Sequence, residues 1–174
     1  MSKENKFLLD GEQSARLNFR KINRLDFNAW LKFFEDPNTS IHWNMPKLAP
    51  KLACENWYDK QFHRYNNELG GLNALIEKTS DRLIGHCGLL IQTVDGQEEL
   101  EVGYSLLPEF WNKGYATEAA KKCLDYTCEH KLSETVISII SLTNHPSEKV
   151  ARKNGMKLSH QTTYHGNDVN IFRT

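Results

Sequence analysis

The chain has 174 residues, 39% of them hydrophobic and 10% aromatic, which describes one folded domain and excludes a disordered chain. Its 22 Lys and Arg balance 22 Asp and Glu, and both signs are spread over both halves, which excludes a general nucleic-acid binder with its basic excess. No apolar run suits a membrane span or an N-terminal signal, and the four cysteines lack a CxxC spacing and read as reduced thiols. The expectation is therefore a cytoplasmic monomer or homodimer with no nucleic-acid or membrane partner.

Residues 1–14 are polar and expected to be loose. From Ala15 to Ile22 the side chains alternate, Leu17 and Phe19 against Arg16, Asn18 and Arg20, which predicts a first strand. Leu25, Phe27, Trp30, Leu31 and Phe34 follow helical spacing up to Asp36-Pro37. Residues 37–50 carry Pro37, Pro46 and Pro50 around Ile41-His42-Trp43-Asn44-Met45 and read as a loop of unusual apolar content. Cys54, Trp57, Tyr58, Phe62 and Tyr65 share one face of a second helix, which Gly70-Gly71 is expected to close. Strands are predicted over 73–78 and 82–93, and Asp95-Gly96 signals a hairpin into a strand over 98–107. That last strand has Leu100, Val102, Tyr104 and Leu106 on one face and Glu99, Glu101, Gly103, Ser105 and Leu107 on the other. A helix follows from Gly114 to Cys128. The β-branched run over 135–142 suits a strand buried on both faces. A short helix over 146–154, stopped by Gly155, and strands over 156–164 and 169–173 complete the order β-α-α-β-β-β-α-β-α-β-β, a mixed α/β single domain.

Two segments carry chemistry. In Trp111-Asn112-Lys113-Gly114-Tyr115-Ala116-Thr117 a strand passes into a helix, with small residues where the helix begins. Free N–H groups and the helix dipole make such a start an anion site suited to phosphate, unless it is only a tight turn. It has neither the P-loop pattern nor dinucleotide glycine spacing. In Asn144-His145-Pro146-Ser147, after the buried strand, Asn144 or Ser147 either caps the next helix or faces a ligand amide. Lys149, Arg152 and Lys153 follow, either facing a phosphate or forming a solvated basic face.

In order and spacing these segments resemble the GNAT N-acetyltransferase superfamily, and more closely its branch of Rim-type ribosomal-protein alanine acetyltransferases, over roughly Leu17 to Thr174. The chain departs from the branch by carrying Asn112 where glycine is usual, and Met156 where phenylalanine is usual. The resemblance implies a GNAT-type fold over residues 15–174: a central splayed mixed sheet of six to seven strands flanked by about four helices. It implies acetyl-CoA as co-substrate, lying between the strands over 99–107 and 135–142. Its pyrophosphate would rest on the amides of Asn112, Lys113, Gly114, Tyr115, Ala116 and Thr117. Its pantetheine arm would run beside the main chain of Leu106 and Leu107, near Asn144, with Ser147 and Lys153 also on the cofactor.

Acetyl transfer to an amine needs a neutral nucleophile, a polarised thioester and a proton for the leaving thiolate. Deprotonating an α-amine at pH 7 costs about 1 kcal/mol, and a lysine about 4.6 kcal/mol. Glu101 is the candidate base, beside the small Gly103 and Ser105, unless it is a solvent-facing carboxylate. Ser147 is the candidate donor to the thiolate. Tyr104, on the opposite face, is expected in the core. Trp43, Asn44, Trp57 and Glu101 are expected to wall the acceptor cleft, and Asp95, Glu98, Glu99, Glu101 and Glu109 form an acidic stretch that reads first as solvated hairpin charge and otherwise would favour a cationic amine. His42 and His86 read as structural, and no metal site is expected. The expected activity is transfer of acetyl to a primary amine, a peptide N-terminus or a small molecule, in a ternary complex. The alternative is a non-catalytic CoA-binding sensor of the same fold.

Overall fold

The computed structural model describes residues 5–174. Seven strands and four helices follow in the expected order: β1 (Leu17–Arg20), α1 (Phe27–Glu35), α2 (Pro50–Asn66), β2 (Gly70–Glu77), β3 (Leu83–Val94), β4 (Gln97–Leu106), α3 (Tyr115–Glu129), β5 (Ile137–Ser141), α4 (His145–Lys153), β6 (Lys157–Tyr164) and β7 (Asn167–Arg173). One sheet takes the order β1-β2-β3-β4-β5-β7-β6. Every neighbouring pair is antiparallel except β4 and β5, which run parallel and share a single rung, Glu101 opposite Ile137. One residue further on, only a side chain reaches across: Ser138 Oγ donates to the Val102 carbonyl at 3.4 Å. From there the two strands part, and the sheet is splayed.

Register fixes the two layers, because residues opposite one another across a sheet share a face. His86, Gly88 and Leu90 lie opposite Ser105, Gly103 and Glu101. On that face His86 packs on Trp30 of α1 and Trp57 of α2, at ring distances of 4.3 and 4.5 Å. The other face carries Cys87, whose Sγ meets that of Cys123 of α3 at 3.6 Å. Thus α1 and α2 cover the Glu101 face, and α3 and α4 cover the opposite one. Cys54, Cys87 and Cys123 are buried small side chains, whereas Cys128, expected to pack like them, is exposed.

Several sequence expectations need correction. The loose segment expected over 1–14 lies partly outside the described residues, and its remainder is pinned. Leu9 is fully buried, its N–H bound by Asn73 Oδ1 at 3.0 Å, while Glu12 and Gly11 exchange main-chain bonds with Phe19. Leu25 is 90% exposed, because a 3₁₀ turn over Arg24–Asp26, capped by Asn23, precedes α1 and turns it outward. Gly70-Gly71 does not close α2. The helix ends a few residues earlier, where Glu68 takes φ 55°, and the glycines open β2. Asp95 and Gly96, at φ 51° and 76°, form the expected hairpin turn. No helix among the described residues is long and apolar enough to cross a membrane.

Candidate active site

The loop after β4 supplies the first half of the site. Gly114, at φ 81° in the left-handed region, is the N-cap of α3 and caps it with no side chain. The first intrahelical bond runs from Glu118 N–H to the Gly114 carbonyl, so the N–H groups of Tyr115, Ala116 and Thr117 lead the helix without a partner inside it. Asn112 also lies in the left-handed region, at φ 60°. That geometry would suit a glycine at this place, and Asn tolerates it better than most side chains do.

Residues far from the motif hold this loop. Glu118 gathers Ser14 Oγ at 2.7 Å, the Arg16 N–H at 2.7 Å and Arg16 Nε at 2.6 Å. Arg16 Nη1 then donates to the Lys113 carbonyl, with its guanidinium 4.1 Å from the Tyr115 ring centroid. The Tyr115 hydroxyl is itself bound to Glu77, so that side chain anchors the loop. Lys113 lies over the Phe110 ring, and Asn154 Nδ2 ties α4 to the Thr117 carbonyl at 3.2 Å. A depression of about 470 Å³ continues from the helix start, lined by Gly114, Thr117, the lysines Lys121, Lys122 and Lys153, and the carboxylates Glu118 and Asp125. Arg152 does not join it, being paired with Glu148 at 2.9 Å and set over Phe172.

Main-chain groups of β4 line the gap unequally. Leu107 donates its N–H to the Ile84 carbonyl of β3 and accepts from Phe110, so both its main-chain groups are engaged. Strand alternation then turns the N–H and carbonyl of Leu106 the other way, into the gap. The Leu106 carbonyl accepts from Trp111 Nε1 at 2.8 Å, which leaves its N–H. At the far wall Asn144 is the N-cap of α4, its Oδ1 accepting from the Ser147 N–H at 3.2 Å. Tyr104 is not plain core: its hydroxyl crosses to Ser147, donating at 3.1 Å to Oγ. The signal for it was present in Glu101-Val102-Gly103-Tyr104, one residue past the open glycine.

Glu101 occupies the last paired rung before the strands separate, on the α2 face. It is half-buried, not a solvent-facing carboxylate, and Gln92 Nε2 donates to its Oε2 at 2.7 Å. Burial pushes its carboxyl up to about 7, against the opposing influence of Gln92, Arg64, the Ile139 N–H and Lys60. Gly103 keeps the space beside it open: a Cβ there would lie 3.9 Å from the Glu101 carboxyl carbon and 3.0 Å from Leu90.

The aromatic residues flank this position without meeting. Trp57 packs against Trp30 and His86 on the β3 side, while Trp43 packs with Ile137, Ile139, Val169 and Ile171 on the β5–β7 side. The Asn44 N–H is held by Asn167 Oδ1 at 2.6 Å, and His42 Nδ1 meets Thr143 Oγ1 at 3.0 Å, so the loop over 40–49 is latched to the far strands. His86 is fully buried, and burial lowers it to about 3. The acidic stretch does not act as one. Asp95 binds His160 and Thr162, Glu99 binds Arg173, Glu109 binds Arg82 and Glu98 is exposed on the hairpin, so of the five Glu101 alone stands where β4 and β5 part.

Comparisons with known proteins agree with this architecture. A family model described as an acetyltransferase (GNAT) domain matches residues 16–157. YnaD of Bacillus subtilis (strain 168), an uncharacterized N-acetyltransferase, is 30% identical over 140 residues, 78% of each chain. An acetyltransferase from Agrobacterium tumefaciens str. C58 superposes with a TM-score of 0.79 at 21% identity, over 97% of this chain and 95% of that one. RimL, a ribosomal L7/L12 alpha-N-protein acetyltransferase solved with coenzyme A, superposes with a TM-score of 0.75 at 13% identity, over 94% and 96% of the two chains.

Proposed function

The chain belongs to the GNAT acetyltransferase family, whose acetyl donor is acetyl-CoA, and on that premise we propose that it acetylates a primary amine, a peptide or protein N-terminal α-amine in preference to a lysine. The observation that carries this reading is the pairing of Glu101 with the parting of β4 and β5: a carboxyl raised to about 7 at the mouth of a gap that ends on three free helix amides. A base near 7 is matched to an α-amine near ~8 and is a poor match to a lysine near ~10.4. RimL, at 13% identity, is like this chain in fold alone.

The residues of the cofactor side fit a CoA pyrophosphate. The amides of Tyr115, Ala116 and Thr117 and the α3 dipole hold its charge, with Asn112, Lys113 and Gly114 shaping the turn and Lys153 near the phosphate end. The Leu106 N–H and the Asn144 side chain would meet the thioester arm. The acceptor enters on the opposite face, between Trp57 and Trp43, beside Asn44.

The acceptor nitrogen attacks the thioester carbonyl carbon. The C–N bond forms, the C–S bond breaks, and Glu101 takes the surplus proton from nitrogen, directly or through one water. The Leu106 N–H stabilises the developing oxyanion. An alkyl thiol near ~8.5 leaves readily. Ser147 Oγ accepts from the Tyr104 hydroxyl and is left its own O–H to hydrogen-bond the departing thiolate, which takes a proton from solvent as Glu101 releases one, so that both side chains end as they began. Glu101 and Tyr104 leave β4 on opposite faces, so base and donor flank the thioester.

Thiol release with acetyl-CoA, measured across N-terminal peptides, lysine peptides and small amines, tests this. The expected result is turnover on α-amines above lysine side chains. Thiol release no faster than acetyl-CoA hydrolysis with every amine, alongside tight CoA binding in a calorimetric titration, would instead establish a binding module.

A further inference from the structure

Beside Glu101 runs a chain of side chains that the transfer reaction itself does not use. Arg64 leaves the last turn of α2 and is 8% exposed. Its Nη1 donates to the main-chain carbonyls of Leu69 at 3.1 Å and Ile91 at 3.0 Å, so the guanidinium is fixed to the sheet as well as to its own helix. Its Nη2 donates to Gln92 Oε1 at 2.8 Å. A guanidinium has donors only, so Gln92 can meet it only with its oxygen. The amide nitrogen is thereby turned to the opposite side, where it donates to Glu101 Oε2 at 2.7 Å. A flipped amide would set nitrogen against nitrogen at one end and oxygen against oxygen at the other.

We propose that Arg64 and Gln92 are positioning residues for Glu101: Arg64 fixes the polarity of the Gln92 amide, and Gln92 holds Oε2 and with it the orientation of the carboxylate that takes the proton from the acceptor nitrogen. The proposal rests on the reading of Glu101 as the base. A structural explanation alone leaves the arrangement costly. A buried guanidinium is expensive, and the buried Arg64 Nε has no hydrogen-bond partner. An apolar pair would fill the space between α2 and β3 without that cost.

The other groups facing Glu101 are accounted for. From α2 come Lys60 and Arg64, from β3 Gln92, from β4 itself Tyr104, from β6 Tyr164, and from β5 the Ile139 N–H. Burial raises both tyrosine hydroxyls, so they stay neutral. Lys60, Arg64, Gln92 and the Ile139 N–H each favour the carboxylate, and burial opposes all four. Removing the Gln92 donor therefore moves the Glu101 titration upward.

The test needs no acceptor. In protein labelled with carboxyl-13C glutamate, the Glu101 resonance is the one missing from Glu101→Gln, and its midpoint is followed against pH. The expected wild-type midpoint is about 7. Gln92→Met is expected to raise it by about one pH unit, the scale of a lost hydrogen bond to a charged group. Arg64→Lys keeps the charge but loses the fork, and is expected to raise it by less. The double variant should go no higher than Gln92→Met alone, because Arg64 works through the amide. An unmoved midpoint in Gln92→Met overturns the relay, and so does a double variant in which the two shifts add in full. Near-UV circular dichroism verifies folding, and Gln92→Asn, too short to bridge both partners, is read the same way if the methionine variant does not fold. Failure of the base reading shows itself elsewhere: Glu101→Gln keeping full turnover overturns the base while leaving these midpoints untouched.

Discussion

On the α3–α4 face of the gap, the groups proposed to hold the anion are consecutive main-chain amides, Tyr115 to Thr117, presented by one turn of chain. On the α1–α2 face, Glu101 is served by Arg64, Gln92, Tyr164 and the Ile139 N–H, brought from four separate elements. The first half needs only that a strand end, a glycine turn left-handed and a helix begin. The second half needs α2, the β3–β4 hairpin and the β6–β7 hairpin all in register. The cofactor half should therefore tolerate side-chain exchange and resist backbone change, and the acceptor half should do the reverse.

After loss of Glu101 itself, the largest expected break is again on the acceptor side. Gly103→Val puts branched carbon between Leu90 and the Glu101 carboxyl. It should lower kcat/KM for the acceptor about 10²-fold, the penalty of misplacing a catalytic group by about an ångström, with the Kd of CoA unchanged. Steady-state kinetics paired with CoA calorimetry separates the two.

The same half stores a stability cost that depends on pH. Glu101 titrates near 7 when folded, above its ordinary value of 4.5. A raised acid leaves stability intact below the unfolded value and erodes it as pH climbs through the folded one. Glu101→Gln should therefore be more stable than wild type at about pH 8, by on the order of 1–3 kcal/mol, and the difference should vanish toward about pH 4.5. Urea denaturation at the two pH values checks it.

On the cofactor side, Asn112→Val forces a β-branched residue to φ 60° and should weaken CoA roughly tenfold, while Asn112→Gly should match or exceed wild type. Lys153→Ala should cost only about two- to fivefold in CoA affinity, because its charge is exposed and screened. A larger effect from Lys153 than from Asn112 would invert the comparison.

The same contrast explains what could be read from the amino-acid sequence. Residues 111–117 and 144–147 are contiguous, so spacing was enough to predict the turn and the two helix starts that form there, and the hydrophobic pattern with its turn signals was enough for all eleven elements. The acceptor half is non-local. Arg64 sits on a helix face that looks apolar from Cys54, Trp57, Tyr58, Phe62 and Tyr65, and nothing in its spacing announces the bond to Gln92. The pairing of the acidic stretch over 95–109 was hidden for the same reason, since its partners His160, Arg173 and Arg82 lie elsewhere in the chain. Pinning of residues 5–14 was hidden too, because the acceptor for the Leu9 N–H is Asn73, a polar residue inside a strand. The neutral total of 22 against 22 thus conceals a division in which most acidic groups of that stretch are paired and one is kept for the cleft.

The pH dependence of kcat/KM for an α-amine peptide, in wild type and Glu101→Gln, tests the central claim most directly. The account predicts an acidic limb near pH 7 in the wild type that disappears in Glu101→Gln, together with a loss of about 10²–10⁴ in rate at unchanged CoA affinity. A Glu101→Gln enzyme that keeps the wild-type rate and the same limb across about pH 6–9 would contradict it.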